Sequence, residues 1–193
     1  MMKFVCGVTV SLFCIIATGC STYAIPRYAT SADNLSALRK IKGSPVALGN
    51  FVSVGSDVTD TIMCRAAGPV KPPDGVTFAG YIKKALAAEL TVAEKYDAQS
   101  KVVISGDLTT IQFSSDRGEW NMSLLLRSSN GRQLSLAEKY SYGFSWMAET
   151  ACSQTAQAGM SAVQNLIGKA VSDPAFSSLM QSPAAEAVND LPH

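Results

Sequence analysis

The chain has 193 residues, 47% of them apolar and 16% charged, which is long enough for one domain with a real core and too apolar for a disordered segment. Sixteen basic residues against 15 acidic ones give a formal net charge of +1, so no basic field recruits nucleic acid and no acidic one gathers cations. The one histidine, His193, is the last residue, which removes Ser/His and Cys/His nucleophile schemes and histidine-rich zinc sites; no CxxC, HExxH or phosphate-cradling glycine loop occurs.

At the N-terminus Lys3 precedes an uncharged stretch of 14 residues, Phe4 to Ala17, short of the roughly 20 that span a bilayer. A basic start, a short apolar run and small residues before a cleavage point make residues 1–19 a secretory signal. Ala17-Thr18-Gly19-Cys20 resembles the bacterial lipobox, in which a signal peptidase cuts before the cysteine and its thiol and new amino group are acylated. The resemblance implies lipidation at Cys20; an ordinary secreted protein and an uncleaved anchor are the alternatives. Each buried methylene contributes about 0.8 kcal/mol, so several acyl chains on one residue hold a domain at a membrane durably. Enterobacterial lipoproteins retained in the inner membrane carry aspartate after the cysteine. Ser21 therefore implies the periplasmic face of the outer membrane, with inner-membrane anchoring or release into the periplasm as alternatives.

Cleavage removes Lys3, leaving 15 basic against 15 acidic residues and a mature chain without net charge. Cys6 and Cys14 leave as well. With Cys20 acylated, Cys64 and Cys152 remain as a pair in an oxidising compartment, either as a disulfide or as two small buried hydrophobes.

Residues 20–44 are polar, hold Pro26 and Gly43, show no sustained period and read as the acylated cysteine followed by a flexible tether. PVALGNFVSV (45–54) is valine-rich and predicts a first strand. Residues 55–75 form a long connection with Cys64 and three prolines, a length that points to function or disorder. Asp57 and Asp60 lie three apart in it and read as solvated carboxylates, with a cation as the alternative. From Val76 to about Tyr96 the period is helical, with Phe78, Ile82, Ala85, Leu86 and Leu90 on one stripe.

KVVISGDLTTIQF (101–113) is a β-type run. In EWNMSLLLR, Trp120, Met122, Leu124 and Leu126 alternate with Glu119, Asn121, Ser123 and Leu125, the mark of a strand covered on one side. Asn130-Gly131 announces a hairpin. A two-residue loop would turn Leu134 and Leu136 to the wrong face. A three-residue loop, Ser129-Asn130-Gly131, pairs Leu126 with Leu134, Leu124 with Leu136 and Trp120 with Tyr140, with Gly131 left-handed. That register sets Glu138 opposite Met122 on the covered side, so either it lies beyond the helix footprint or the strand bulges. Tyr140, Tyr142, Phe144 and Trp146 keep period two and read as core, with stacking of sugars or bases as the alternative. Cys152, Ala156, Gly159, Val163, Leu166 and Ala170 follow a helical stripe that Asp173-Pro174 ends. Residues 181–193 read as a loose tail.

The order over 45–180 is strand, helix, three strands, helix. Two helices with one apolar stripe each, against strands covered on one face, imply a two-layer α+β sandwich with both helices on one face of a mainly antiparallel sheet. The opposite sheet face is left for water or a partner.

In this order the lipobox, the helix FAGYIKKALAAEL, the strand VVISGDL, the hairpin GEWNMSLLLRSSNGR, the aromatic strand YSYGFSW and the helix ending in SDPAF resemble the small YajG-type outer-membrane lipoproteins. The resemblance implies an envelope lipoprotein with no established enzymatic activity, and the residues themselves lead to no expected cofactor or metal. The function expected is a membrane-anchored accessory module that binds a protein partner through the 55–75 loop or the free sheet face. Carriage of a lipid or other apolar ligand in a groove between helices and sheet is the alternative. An enzyme would have to work with carboxylates alone, two or more of Asp107, Asp116, Glu119, Glu138 and Glu149 lining one pocket.

Overall fold

The computed structural model describes residues 21–55 and 58–182. The signal over 1–19, the lipidation expected at Cys20, Asp57 and His193 lie outside the described residues. The elements in chain order are β1 (Tyr23–Ala24), α1 (Ala32–Lys40), β2 (Ala47–Ser53), β3 (Ile62–Cys64), β4 (Gly68–Lys71), α2 (Phe78–Val92), β5 (Val103–Ser114), β6 (Glu119–Ser128), β7 (Gln133–Ser141), α3 (Ala148–Ser172) and α4 (Pro174–Leu179).

The larger sheet has the order β2-β5-β6-β7. β2 runs parallel to β5, with α2 in the crossover between them, and β5, β6 and β7 form an antiparallel meander. α2 starts where the Thr77 hydroxyl accepts the Gly80 N–H at 2.9 Å, a side-chain cap on an otherwise orphaned donor. α3 ends at Asp173, whose carboxylate in turn caps α4 by accepting the Ala175 N–H at 2.8 Å, with Pro174 at the first helical position. Both long helices lie on one face of the sheet, giving the two-layer α+β sandwich. Phe78, Ile82 and Leu90 of α2 and Val163, Leu166 and Ile167 of α3 are buried against Ile104, Leu108, Leu124 and Leu126. Trp120 is fully buried at the centre; its indole N–H donates to the Thr155 carbonyl at 2.9 Å, and Phe113 meets it edge-on at 5.0 Å.

The hairpin register is the one the apolar faces require: Trp120 lies opposite Tyr140, Leu124 opposite Leu136 and Leu126 opposite Leu134. The loop is Ser129-Asn130-Gly131, closed by the Ser128 N–H to Arg132 carbonyl bond at 2.9 Å, with Gly131 at φ +85°. Glu138 does lie opposite Met122, yet neither expected escape occurs. The strand runs straight past it, and Lys169 of α3 reaches over to pair with it at 2.7 Å. In β5 a register shift between Leu108 and Thr110 sets Leu108 and Ile111, three residues apart, on the same buried side, which breaks the alternation there.

Residues 21–44 correct the sequence reading, because they are packed into the domain rather than left as a tether. β1 adds a parallel strand to β4, β3 closes the other side, and the small sheet β1-β4-β3 is built from this segment and the 55–75 connection. Ile25 is buried over Gly159 of α3, where a methyl group on the glycine would meet the Ile25 side chain at 2.8 Å. α1 buries Leu38 and Asn34 against the other helices. What holds the segment is fully buried Glu89 of α2, whose Oε1 accepts from the Tyr28 hydroxyl at 2.7 Å, the Ser31 N–H at 2.8 Å and the Asn34 amide at 3.2 Å. Burial and the Glu89 carboxylate push the Tyr28 hydroxyl well above the usual phenol range.

Candidate functional site

Cys64 closes β3 and Cys152 lies in the first turn of α3, both fully buried, and their sulfurs are bonded with Cα atoms 5.8 Å apart. The bridge straps the 55–75 connection to α3. The next residue, Arg65, sits in the left-handed region at φ 49° and gathers three loops. Its guanidinium donates to the Ser115 hydroxyl at 3.1 Å and the Ser115 carbonyl at 3.2 Å in the β5–β6 turn, and to the Ser145 and Trp146 carbonyls at 3.3 and 3.0 Å in the β7–α3 connection. It also pairs with Asp116 at 2.7 Å. Nothing in the residue pattern singles out Arg65, since an arginine after a loop cysteine has no pattern of its own.

The aromatic run divides here, correcting its reading as core. Tyr140 and Tyr142 are partly buried, the Tyr142 hydroxyl sharing a 2.7 Å hydrogen bond with Thr155, and burial raises its pKa. β7 ends at Ser141, and beyond it Phe144 and Trp146 face outward, meeting edge to face at 5.8 Å. Phe144 is 45% exposed, Trp146 87%, Met147 71% and Met63, the residue before Cys64, 61%.

The second surface is the helix-free face of the larger sheet. Small side chains pave it, among them Ser105, Ser123, Ser135 and Ala137, with half-buried Leu125 between them. Two cross-strand ion pairs bracket it, Arg127 with Asp107 and Lys139 with Glu119, the latter at 2.8 Å. The Lys139 ammonium and the Asn121 amide hold the Glu119 carboxyl below the usual carboxylate range.

The third feature is a polar cavity of about 540 Å³ where α1 and α3 meet β7, lined by Asn34, Glu138, Tyr140, Gln164, Asn165 and Lys169 among others. Of the five carboxylates that carboxylate catalysis would have used, Glu138 alone lines it. Asp107 and Glu119 lie on the open sheet face, Asp116 is spent on Arg65, and Glu149 is in the first turn of α3. Asp60 is exposed. Among the described residues no three His, Cys, Asp or Glu side chains converge as metal ligands, and no helix is long and apolar enough to cross a membrane.

A protein of Xanthomonas campestris from the family DUF330 has a similar crystal structure, with a TM-score of 0.50 at 11% sequence identity over 78% of this chain and 95% of that one. At that identity the likeness is one of fold, shared with a bacterial protein. No family model matches the sequence, and no curated protein gives a significant match.

Proposed function

We propose that the chain is a periplasm-facing lipoprotein of the bacterial outer membrane, of the YajG type, anchored through Cys20, whose domain is a non-catalytic docking module for another envelope protein. The signal pattern and the lipobox support the anchor. One observation carries the docking role: a four-stranded sheet with one whole face free of helices, paved with small side chains and bracketed by two ion pairs. Such a face offers hydrogen bonds and a flat contact to a polar partner surface. The rival occupant, an apolar ligand between helices and sheet, has less support, because Phe78, Leu90, Trp120 and Leu166 already fill that interface.

The test is in-cell photocrosslinking from Ser123 and Ser135 on the open face, from Thr61 in the 55–75 connection and from Lys84 on the outer side of α2. Capture of one defined envelope protein from the sheet positions and not from Lys84 is expected. Capture from Thr61 alone would move the docking site to the small sheet, and capture from none of them would overturn the docking role. Palmitate labelling of the wild type that disappears in Cys20→Ala is expected for the anchor, and labelling that survives the substitution would refute it.

A further inference from the structure

We propose that the end of the domain carrying Met63, Phe144, Trp146 and Met147 rests in the headgroup layer of the membrane that holds the lipid. This rests on the anchor at Cys20 proposed above, and adds where the domain sits and which surface touches the bilayer.

The geometry follows from the absence of slack between residue 21 and the domain. Ser21 lies beside Gly68, where any Cβ would collide with the Ser21 carbonyl oxygen. Two residues later β1 is paired to β4, and the Ile25 N–H donates to the Lys71 carbonyl at 2.9 Å. Gly68 stands opposite Cys64 across the turn that carries Arg65, and Arg65 grips the backbone of Ser145 and Trp146. Cys20 is one peptide unit from Ser21, about 3.8 Å between Cα atoms. Acyl chains on Cys20 place that residue at the membrane surface, so the Arg65 turn and the 144–147 segment are drawn to the same plane.

The chemistry at that end suits a bilayer. Trp side chains favour the membrane interface, where the apolar ring meets acyl chains and the indole N–H stays hydrated. Trp146, Met147 and Met63 are the three most exposed large apolar side chains among the described residues; Trp146 and Met147 are consecutive, and Met63 precedes Cys64, whose disulfide ties it to α3 five residues after Met147. Asp116 is already paired with Arg65, which lowers the cost of bringing it to the interface, while exposed Glu149, two residues after Met147, is a cost that the apolar side chains must exceed. A protein surface would also accept an apolar patch, but at the end of the domain that Cys20 draws to the bilayer it would compete with lipid headgroups for the same space. The opposite end, with the Ser129–Gly131 loop, is the 10 residues of β6 away, roughly 33 Å at 3.3 Å per residue, so the open sheet face stands out from the membrane.

The test uses the full-length protein, purified with its lipid and reconstituted into vesicles of phosphatidylethanolamine and phosphatidylglycerol that include a phospholipid brominated near the glycerol. The chain has two tryptophans, and Trp120 is fully buried, so the emission of wild type minus that of Trp146→Phe reports Trp146 alone. That difference signal should shift to shorter wavelength, lose most of its intensity to bromine and become shielded from iodide in the buffer. Protein that carries acyl mass on Cys20 and floats with the vesicles while Trp146 stays open to iodide and unquenched by bromine would overturn the seating and leave the anchor standing. Protein without acyl mass that fails to float would overturn the anchor and the seating together. A photocrosslinker at Met147 that captures a protein in cells instead of phospholipid would give the patch to a protein partner and also refute the proposal.

Discussion

Replacing Cys64 and Cys152 together by alanine opens a covalent loop whose ends are 88 residues apart. Chain-entropy theory gives the closed loop about 15 cal/mol/K of restricted unfolded-state entropy, or about 4.6 kcal/mol at 25 °C. Alanine rather than serine is the right substitute, because both positions are fully buried and alanine adds no polar group that needs a partner there. With a urea slope of about 2 kcal/mol/M for a domain of this size, the unfolding midpoint should fall by about 2 M. The assay is urea titration of the mature chain carrying Cys20→Ala, followed by the fluorescence of buried Trp120, with and without reductant. Wild type under reductant should join the double variant, and the double variant should ignore the reductant. Equal midpoints for oxidised wild type and the double variant would refute the reasoning, and would return the two cysteines to the role of small buried hydrophobes.

Gly68→Ala should detach β1 and free the backbone at Arg27, whose side chain is already exposed, for cleavage by trypsin, because its Cβ collides with the Ser21 carbonyl; Gly75→Ala, also at positive φ but in open space, should cost about 1 kcal/mol and leave the cleavage pattern unchanged. Glu89→Ala should destabilise the domain by about 3 kcal/mol and speed amide exchange over residues 21–41, since three donors lose their acceptor; Glu89→Gln, which keeps a carbonyl oxygen for them, should cost less by urea titration. The folded pKa of Glu119 lies below its unfolded value, so between the two the unfolded chain binds more protons and stability rises with pH. The contribution is present above the ordinary carboxylate pKa of about 4.5 and fades as pH falls through the depressed one, so melting curves of wild type and Glu119→Gln should converge in acid.

The parts legible in the sequence are those where one face of an element decides its placement. Alternation in β6 and the Asn130-Gly131 pair left a single register that buries Leu124, Leu126, Leu134 and Leu136 together, and that register is the one found. Period two misled beyond Tyr142 for a reason outside the local pattern: β6 begins at Glu119, opposite Ser141, and the last bond across is from the Tyr142 N–H to the Gly118 carbonyl at 2.7 Å, so Phe144 and Trp146 have no strand left to pair with. The 21–44 segment was illegible because a two-residue strand has no period. α1 buries Leu38 and Asn34 alone, and the acceptor that fixes it, Glu89, lies 58 residues beyond Ser31. Glu138 needed knowledge of which α3 residue passes above it, which depends on helix placement over the sheet and not on spacing in β7.

The disulfide and the Arg65 contacts strengthen the fold at one end, and the proposed anchor gives a reason. Any force on Cys20 enters the domain at Ser21 and passes through two paired residues of β1 into β4. β4 is joined to β3, and β3 is joined through Cys64 to Cys152 at the start of α3, the longest helix of the core. Without the bridge, the small sheet would hold to the sandwich by side-chain packing, by the Glu89 hydrogen bonds to residues 28–34 and by Arg65, whose ion pair with an exposed Asp116 is worth little in water. A covalent strap at this point spreads the load over α3 and the sheet beneath it. A long flexible tether would have made such a strap unnecessary, so the packed 21–44 segment and the buried disulfide are two sides of one arrangement.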